Sequence, residues 1–447
     1  MTSAAEQLAA NINFSAFSKA TELKKRLWFT LGALLVYRLG TYIPLPGIDG
    51  AVLEDIFASQ AGGILGMFDM FAGGALRRMT IFALNIMPYI SASIIMQLLT
   101  AVSPQLEALK KEGEAGRKKI NQYTRYGTVL ITALQGYGIA VGLESMTSSA
   151  GAAVFDPGVF FRFTTVVTLI GGTMFLMWLG EQITQRGVGN GISLIIFAGI
   201  VANLPSALVG TLEMGRTGAI STLFVIFLLI MSVGVIAFII FIERAQRRIV
   251  VQYPKRQQGN RMTGGESSHL PLKINTSGVI PPIFASSILL MPITLIGFSA
   301  GSGPEWLSSL AVYLGHGQPL YLALYVGFIV FFAFFYTAVV FNPTETAENL
   351  KKYGGFVPGI RPGKNTAEFL DRVLTRLTVV GAAYLSAVCL LPEILISRFS
   401  VPFYFGGTSL LIVVTVTLDT VAQVQSHLLA HQYEGLIKKS KLRGRRG

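Results

Sequence analysis

His427 and His431 lie four residues apart, a spacing at which one helical face offers two imidazoles to a metal ion. The segment reads His427-Leu428-Leu429-Ala430-His431, so it lacks the Glu that a zinc-hydrolase helix sets after its first His. Both fall at the cytoplasmic end of the last apolar run, and no metal site is expected there. Gly187-Val188-Gly189-Asn190-Gly191 has the glycine density of a phosphate loop. It joins two apolar helices rather than a strand and a helix, and no Lys-Ser/Thr follows, which argues against a nucleotide. No Ser/His/Asp arrangement is legible. The single cysteine, Cys389, sits inside an apolar run, which excludes a disulfide framework and a cysteine-rich metal centre. The chain is expected to be no enzyme and to hold no cofactor. What its apolar helices offer instead is serine, small residues and isoleucine. Ile86 and Ile90 share a helical face, as do Ile192 and Ile196. Spacing alone reads such pairs as lipid-facing or core positions.

The elements that carry these residues follow from composition. Of 447 residues, 52% are hydrophobic and only 13% charged, where a soluble domain carries about a quarter. Leaving out so many charges suits a surface that faces lipid. Apolar segments of roughly 17–25 residues, the length that crosses a bilayer, are read near 27–43, 80–102, 126–143, 163–180, 188–209, 219–242, 277–298, 320–341, 377–395 and 403–422. Arg38 interrupts the first and is expected to snorkel towards one end. The first twenty residues carry no cleavable leader pattern, since the apolar run comes late and no small-residue site follows it.

Basic residues orient the spans. Of the 36 Lys and Arg, only Arg38, Arg77, Arg78, Arg162, Arg216 and Arg398 fall outside segments that are cytoplasmic when both termini are inside. No Lys or Arg occurs between Ile274 and Leu350. The expected architecture is all-α: a polytopic membrane protein with ten transmembrane helices, five in each half. Residues 1–22 read as a cytoplasmic amphipathic segment, 23–210 as an N-terminal half, 211–425 as a C-terminal half, and 426–447 as a basic cytoplasmic tail. The five-and-five division is compatible with an inverted repeat, although no internal sequence similarity is visible.

Three connections stand out. Residues 44–78, on the outer side, hold an apolar stretch too short to span, flanked by Gly62-Gly63 and Gly73-Gly74 and able to hinge as a unit. The loops 243–273 and 342–373 are long and basic on the cytoplasmic side. In the second, Pro358-Gly359-Ile360-Arg361-Pro362-Gly363 stiffens a tip that presents Arg361 outward. A secondary transporter of a small solute is the alternative to weigh. Such proteins place ionisable groups near the midplane to bind substrate or coupling ions. The centres of spans two, three, five, six, seven and eight contain no Asp, Glu, Lys, Arg or His, which counts against it.

Several long runs resemble the SecY family of protein-conducting channels, its bacterial members most of all. They are Tyr42 to Asp49 (YIPLPGID), Ile81 to Leu99 (IFALNIMPYISASIIMQLL), Trp178 to Gly199 (WLGEQITQRGVGNGISLIIFAG) and His269 to Ser287 (HLPLKINTSGVIPPIFASS). Phe356 to Gly363 (FVPGIRPG), Tyr404 to Val414 (YFGGTSLLIVV) and Ala422 to Glu434 (AQVQSHLLAHQYE) fit as well. The resemblance implies two pseudo-symmetric five-helix halves around a central pore. It implies a pore ring of Ile86, Ile90, Ile192, Ile196, Ile283 and Ile412. It implies a plug that includes Gly66, Met67, Phe68, Asp69, Met70 and Phe71. Spans two and seven would form a lateral gate with Ser91 facing Met291, and Gln97 and Asn190 as polar lining. Arg247, Arg248, Lys255, Arg256, Arg361 and Tyr433 would dock the ATPase SecA or the ribosome. The implied function is to pass unfolded secretory polypeptides across a bacterial inner membrane and to release transmembrane segments sideways into its lipids. SecE and SecG would be companion subunits, and chains bearing signal sequences the substrates. Asn85 stands where the family pattern leads one to expect glycine, Met291 where an aromatic also fits, and Asn260 where a further basic residue would fit.

Overall fold

The computed structural model describes residues 20–59, 69, 72–148, 151–218, 221–254, 256–258, 261–263, 267–299, 313, 318–399 and 407–443. Helix α1 (Thr21–Gly40) opens with Lys24, Lys25 and Arg26, and buries Leu23, Ala33 and Tyr37. Helix α2 (Gly50–Ser59) belongs to the connection between the first two expected spans. Residues 72–86 then form successive turns rather than the start of the second span. Irregular backbone is tolerated at membrane depth only where protein covers it, and here Ala72, Ala75, Leu76, Met79, Phe82, Ala83 and Leu84 are all buried. Its peptide groups find partners: Leu45 N donates to Met79 O at 2.9 Å, Ile81 N to Ile43 O at 3.1 Å, and Thr80 N to Ala75 O at 3.0 Å. Helix α3 (Met87–Val102) therefore begins seven residues later than the apolar run suggests, with Pro88 in its first turn, where a missing N–H costs nothing.

Ser103 and Pro104 break the helix, and α4 (Pro104–Lys111) leaves at 99° to α3. Helix α5 (Glu114–Ser145) runs back, and β1 (Thr147–Ser148) with β2 (Gly151–Ala152) turns the chain into α6 (Val159–Arg186). Helices α7 (Gly191–Arg216) and α8 (Thr222–Arg244) come next. The loop expected over 243–273 is a β-hairpin: β3 (Gln246–Gln252) pairs antiparallel with β6 (Ser267–Lys273), and β4 (Arg256–Gln258) pairs with β5 (Arg261–Thr263). Period-two patterning explains it. Ile249 and Val251 point inward from β3 and Leu272 from β6, while Arg248 and Val250 face out; Arg247, near the strand end, is exposed as well. The chain ends in α9 (Ile280–Ser299), α10 (Pro319–Val340), α11 (Pro343–Lys352), α12 (Lys364–Phe399) and α13 (Gly407–Arg443).

A helix lies on each of the ten expected spans: α1, α3, α5 to α10, α12 and α13. Among the described residues seven helices are long and apolar enough to cross a membrane, and the bent α3–α4 pair makes an eighth. Side chains such as Leu223, Ile230, Val233 and Phe241 on α8 stay exposed. An uncovered apolar stripe of this extent suits lipid rather than water. The protein is thus a helical membrane bundle with small strand pairs outside it.

Two buried clusters organise the bundle. The larger draws on α1, the 72–86 turns, α3 and α5 to α7, and takes in Phe284, Phe332, Ile412 and Val416 from the later helices. The second uses only later residues, from Ile239 to Val414. Helix α3 lies against α5 and α9, while α13 lies against α7, α8 and α12.

Candidate functional site

Four separate helices bring isoleucine to one point. Ile86 at the entrance to α3, Ile90 on α3, Ile196 on α7, Ile283 on α9 and Ile412 on α13 line a single void with Asn85, Met87 and Ser286. Its volume is about 10 Å³, at the threshold of roughly 10–15 Å³ needed to hold one water molecule. No charged side chain lines it. Ile86 is 1% exposed and Ile412 0%. Ile192, the sixth expected member, does not line the void; it is half-buried against the larger cluster, one turn before Ile196. The five branched side chains make a narrow, mainly aliphatic closure. Such a closure hydrogen-bonds to nothing and excludes water and ions.

Asn85 adjoins this closure in a left-handed conformation, φ 49°. That geometry accounts for the asparagine. For L-residues the region costs roughly 1–2 kcal/mol, and glycine and then asparagine bear it best. Asn85→Gly is therefore expected to fold normally, whereas Asn85→Val should lower the thermal unfolding midpoint in detergent, by about 1–2 kcal/mol of stability.

The seam between α3 and α9 runs beside the void. Ser287 Oγ approaches Met87 Sδ at 4.0 Å, both buried. Ser91 is buried on the same helix, its Oγ donating to Met87 O at 3.2 Å. Met291 has its side chain outside the described residues. Met87, Ser286 and Ser287 were not legible as site residues, because nothing in the sequence says which face of α9 meets α3. Gln97 lies further along α3 and donates to Ser93 Oγ at 3.3 Å. It lines a cavity of about 1010 Å³ between α3, α5, α10 and α11, with Ser93, Arg117, Asn121 and Glu345. Asn190 is exposed and caps α7, its Oδ1 accepting from Ile192 N at 3.1 Å.

Of the residues read as a plug, Asp69 alone is described; Gly66, Met67, Phe68, Met70 and Phe71 lie outside. Asp69 Oδ1 accepts from Arg77 N at 2.7 Å, and its carbonyl accepts from Gly74 N at 3.0 Å. Burial pushes its carboxyl above the usual carboxylate range, against these hydrogen bonds. The chain leaves this segment through Gly73 at φ 68°, where a Cβ would stand 2.9 Å from Gly199 Cα of α7. Only glycine fits. Arg38 Nη1 donates to Gly73 O at 2.8 Å, so the C-terminal end of α1 holds the same point.

The two basic loops form one platform. Gln252 and Phe356 exchange hydrogen bonds, Gln252 N to Phe356 O at 2.9 Å and Phe356 N to Gln252 O at 3.0 Å. Ile249, Leu272, Val357, Leu370, Val373 and Leu374 close a small core beneath them. Arg247, Arg248 and Arg361 stand exposed on this platform. Lys255 and the side chains of Arg256 and Tyr433 lie outside the described residues. Among the described residues no group of three or more His, Cys, Asp or Glu could hold a metal ion.

Comparison with known proteins gives this geometry its context. A family model described as SecY matches residues 80–421. The chain is 58% identical over 424 residues to protein translocase subunit SecY of Escherichia coli K12, covering 95% of this chain and 96% of that one. It is 57% identical over 431 residues to protein translocase subunit SecY of Rickettsia conorii, covering 96% and 99%. Among solved structures, one described as a protein conducting channel aligns with TM-score 0.65 and 18% identity, over 91% of this chain and 92% of that one. Sec61 in a canine ribosome–channel complex aligns with TM-score 0.61 and 18% identity, over 91% and 92%. At such identity these two likenesses speak for the fold.

Proposed function

This chain belongs to the SecY family, and from that premise we propose that it is the channel subunit of a protein translocase, with the isoleucine closure as its pore seal. It is a conduit and not an enzyme. It passes unfolded polypeptides across the membrane and releases apolar segments sideways. The transporter reading has no place within this family.

The observation that carries the pore assignment is the convergence of five isoleucines on one void of about 10 Å³. A passage for arbitrary polypeptides cannot use a specific polar site, because every side chain must get through without sticking. Aliphatic side chains move aside and re-close, and when the pore is empty they repel water and ions. The α3–α9 seam serves as the lateral gate, lined by Ser91 and Met291 and, towards the large cavity, by Gln97, with Asn190 at the start of α7 as a further polar gate position. A segment apolar enough to prefer lipid leaves there, driven by burial of its surface. The segment around 66–71 is the plug, pivoting at Gly73. The platform bearing Arg247, Arg248, Lys255, Arg256, Arg361 and Tyr433 docks SecA or the ribosome, whose phosphate-rich RNA suits a basic face. SecE and SecG are the companion subunits, the membrane is the bacterial inner membrane, and both termini are cytoplasmic. The ten spans divide near residue 210 into two halves, a reading that the second buried cluster, drawn only from later residues, supports.

A cross-link tests the pore directly. In a chain with Cys389 replaced and a photo-reactive residue at position 86, a secretory precursor arrested midway is expected to form an adduct. A control placed at exposed Leu223 on α8 should form none. Equal yields at the two positions, or none at 86 with the chain arrested, would remove Ile86 from the polypeptide path.

A further inference from the structure

The base of the cytoplasmic hairpin contains a buried acid that the closure, the seam and the docking platform do not use. Glu243 is the penultimate residue of α8, and carboxylates are seldom buried without partners. Its partner comes from the other leg of the hairpin. Asn275, two residues beyond β6, donates Nδ2 to Glu243 Oε1 at 2.7 Å and to Gly278 O at 3.1 Å. Ser277 Oγ donates to Asn275 Oδ1 at 3.0 Å, and Ile274 N donates to Ala245 O at 3.1 Å. Asn275 and Ser277 are buried as well. These bonds close the hairpin where it leaves the bundle.

The position of this knot along the chain gives it meaning. Beyond it the chain turns through Gly278 at φ 64° and enters α9 at Ile280, so α9 starts directly from the locked base. Three residues into α9 stands Ile283 of the closure, and one further turn on stands Ser287 of the seam. Helix α12 clamps the knot from outside: a Cβ at Gly381 would lie 3.1 Å from Ile274 O and 3.7 Å from Asn275 Oδ1. Tyr384, one turn later, meets Phe238 of α8 edge to face at 5.8 Å. A buried network of hydrogen bonds in a low-dielectric setting holds its members in place, and losing Glu243 or Asn275 leaves the other without this bond.

We infer that the Glu243–Asn275 pair is a positioning joint that ties the docking hairpin to α9, so that a partner's displacement of β3 and β6 reaches the α3–α9 seam. This rests on the docking and gate assignments proposed above. Cutting the joint should leave docking intact and uncouple it from the seam.

The test uses the full chain in membrane vesicles, with Cys389 replaced and cysteines at Met87 and Ser287, and reads the rate of disulfide formation across the seam. Purified SecA with a slowly hydrolysed ATP analogue is the probe, and its binding is measured on the same vesicles. In the parent chain bound SecA is expected to slow closure of the disulfide by roughly fivefold or more, the lower end of ordinary coupling between sites. Glu243→Ala should bind SecA equally well and lose most of that response. Glu243→Gln keeps an acceptor for Asn275 and should retain it, and Asn275→Ala should reproduce the loss from the other leg. A full response in Glu243→Ala or Asn275→Ala, each inserted at parental level, overturns the joint. If SecA fails to bind the parent, the docking assignment has failed and the joint with it. If SecA binds the parent and the seam does not respond, the gate assignment has failed instead, and again the joint with it.

Discussion

An Arg361→Glu chain is expected to insert and accumulate at parental level, yet to bind SecA on the order of a hundredfold more weakly, as expected for about 3 kcal/mol lost when a docked charge is reversed. Precursor uptake into vesicles should fall in step. The expectation rests on how the tip is built. Val357 is buried in the platform's core with Ile249 and Leu272, and the paired hydrogen bonds between Gln252 and Phe356 pin the loop to the hairpin. Gly359 and Gly363 adopt φ of 80° and 107° on either side, Pro362 fixes the next residue, and Arg361 O accepts from Thr366 Oγ1 at 3.0 Å. The backbone is thus set by neighbours, while the guanidinium is exposed with no ion-pair partner among the described residues. A change there leaves the fold within about 0.5 kcal/mol, the usual range for a surface position. Arg361→Lys keeps the charge and loses the planar fork, so an intermediate affinity is expected. Unaltered SecA binding by the Glu variant would remove Arg361 from the docking surface.

How much of this was legible in the chain varies with the physics that decides each element. The spans were legible because a bilayer imposes a length and an apolar composition, and a helix lies on every expected one. The start of the second span was not. Residues 80–86 are as apolar as the helix after them, and only the left-handed Met79 and Asn85 with buried turn hydrogen bonds reveal that the helix waits for Met87. The hairpin was hidden by its charge. Arg247, Arg248, Lys255 and Arg256 read as a solvated loop, although the alternation of Ile249 and Val251 with exposed neighbours carries the period of a strand. For the closure, spacing could pair Ile86 with Ile90 but could not join them to Ile283 or Ile412, more than 190 residues away in the chain. That union is tertiary. The family resemblance supplied it, and the shared void gives it geometry. Asn85 departs from the family pattern, and its backbone angle gives the reason: the position needs a residue that tolerates positive φ, and asparagine does.

Replacing Ile86 and Ile283 with glycine should raise the resting ion conductance of the reconstituted channel by roughly tenfold or more, because a hydrophobic constriction seals only while it stays dry. The void between the five isoleucines is already close to the size of one water. Removing two branched side chains from its wall makes room for several, and a continuous water file carries ions. The substitutions also cost stability, about 2–5 kcal/mol for each large aliphatic removed from a packed site, so leak must be measured at matched amounts of inserted protein. Ile86→Val, which keeps a branched side chain, should stay sealed and separates size from mere alteration. Ile192 provides the sharper contrast. It belongs to the six expected from family resemblance but does not line the void, so Ile192→Gly should leak less than Ile196→Gly, one turn along the same helix. Equal leak from the two would restore Ile192 to the seal in the membrane. An unchanged conductance in the Ile86/Ile283 variant would mean that the barrier to ions lies elsewhere, with the plug segment next to be tested.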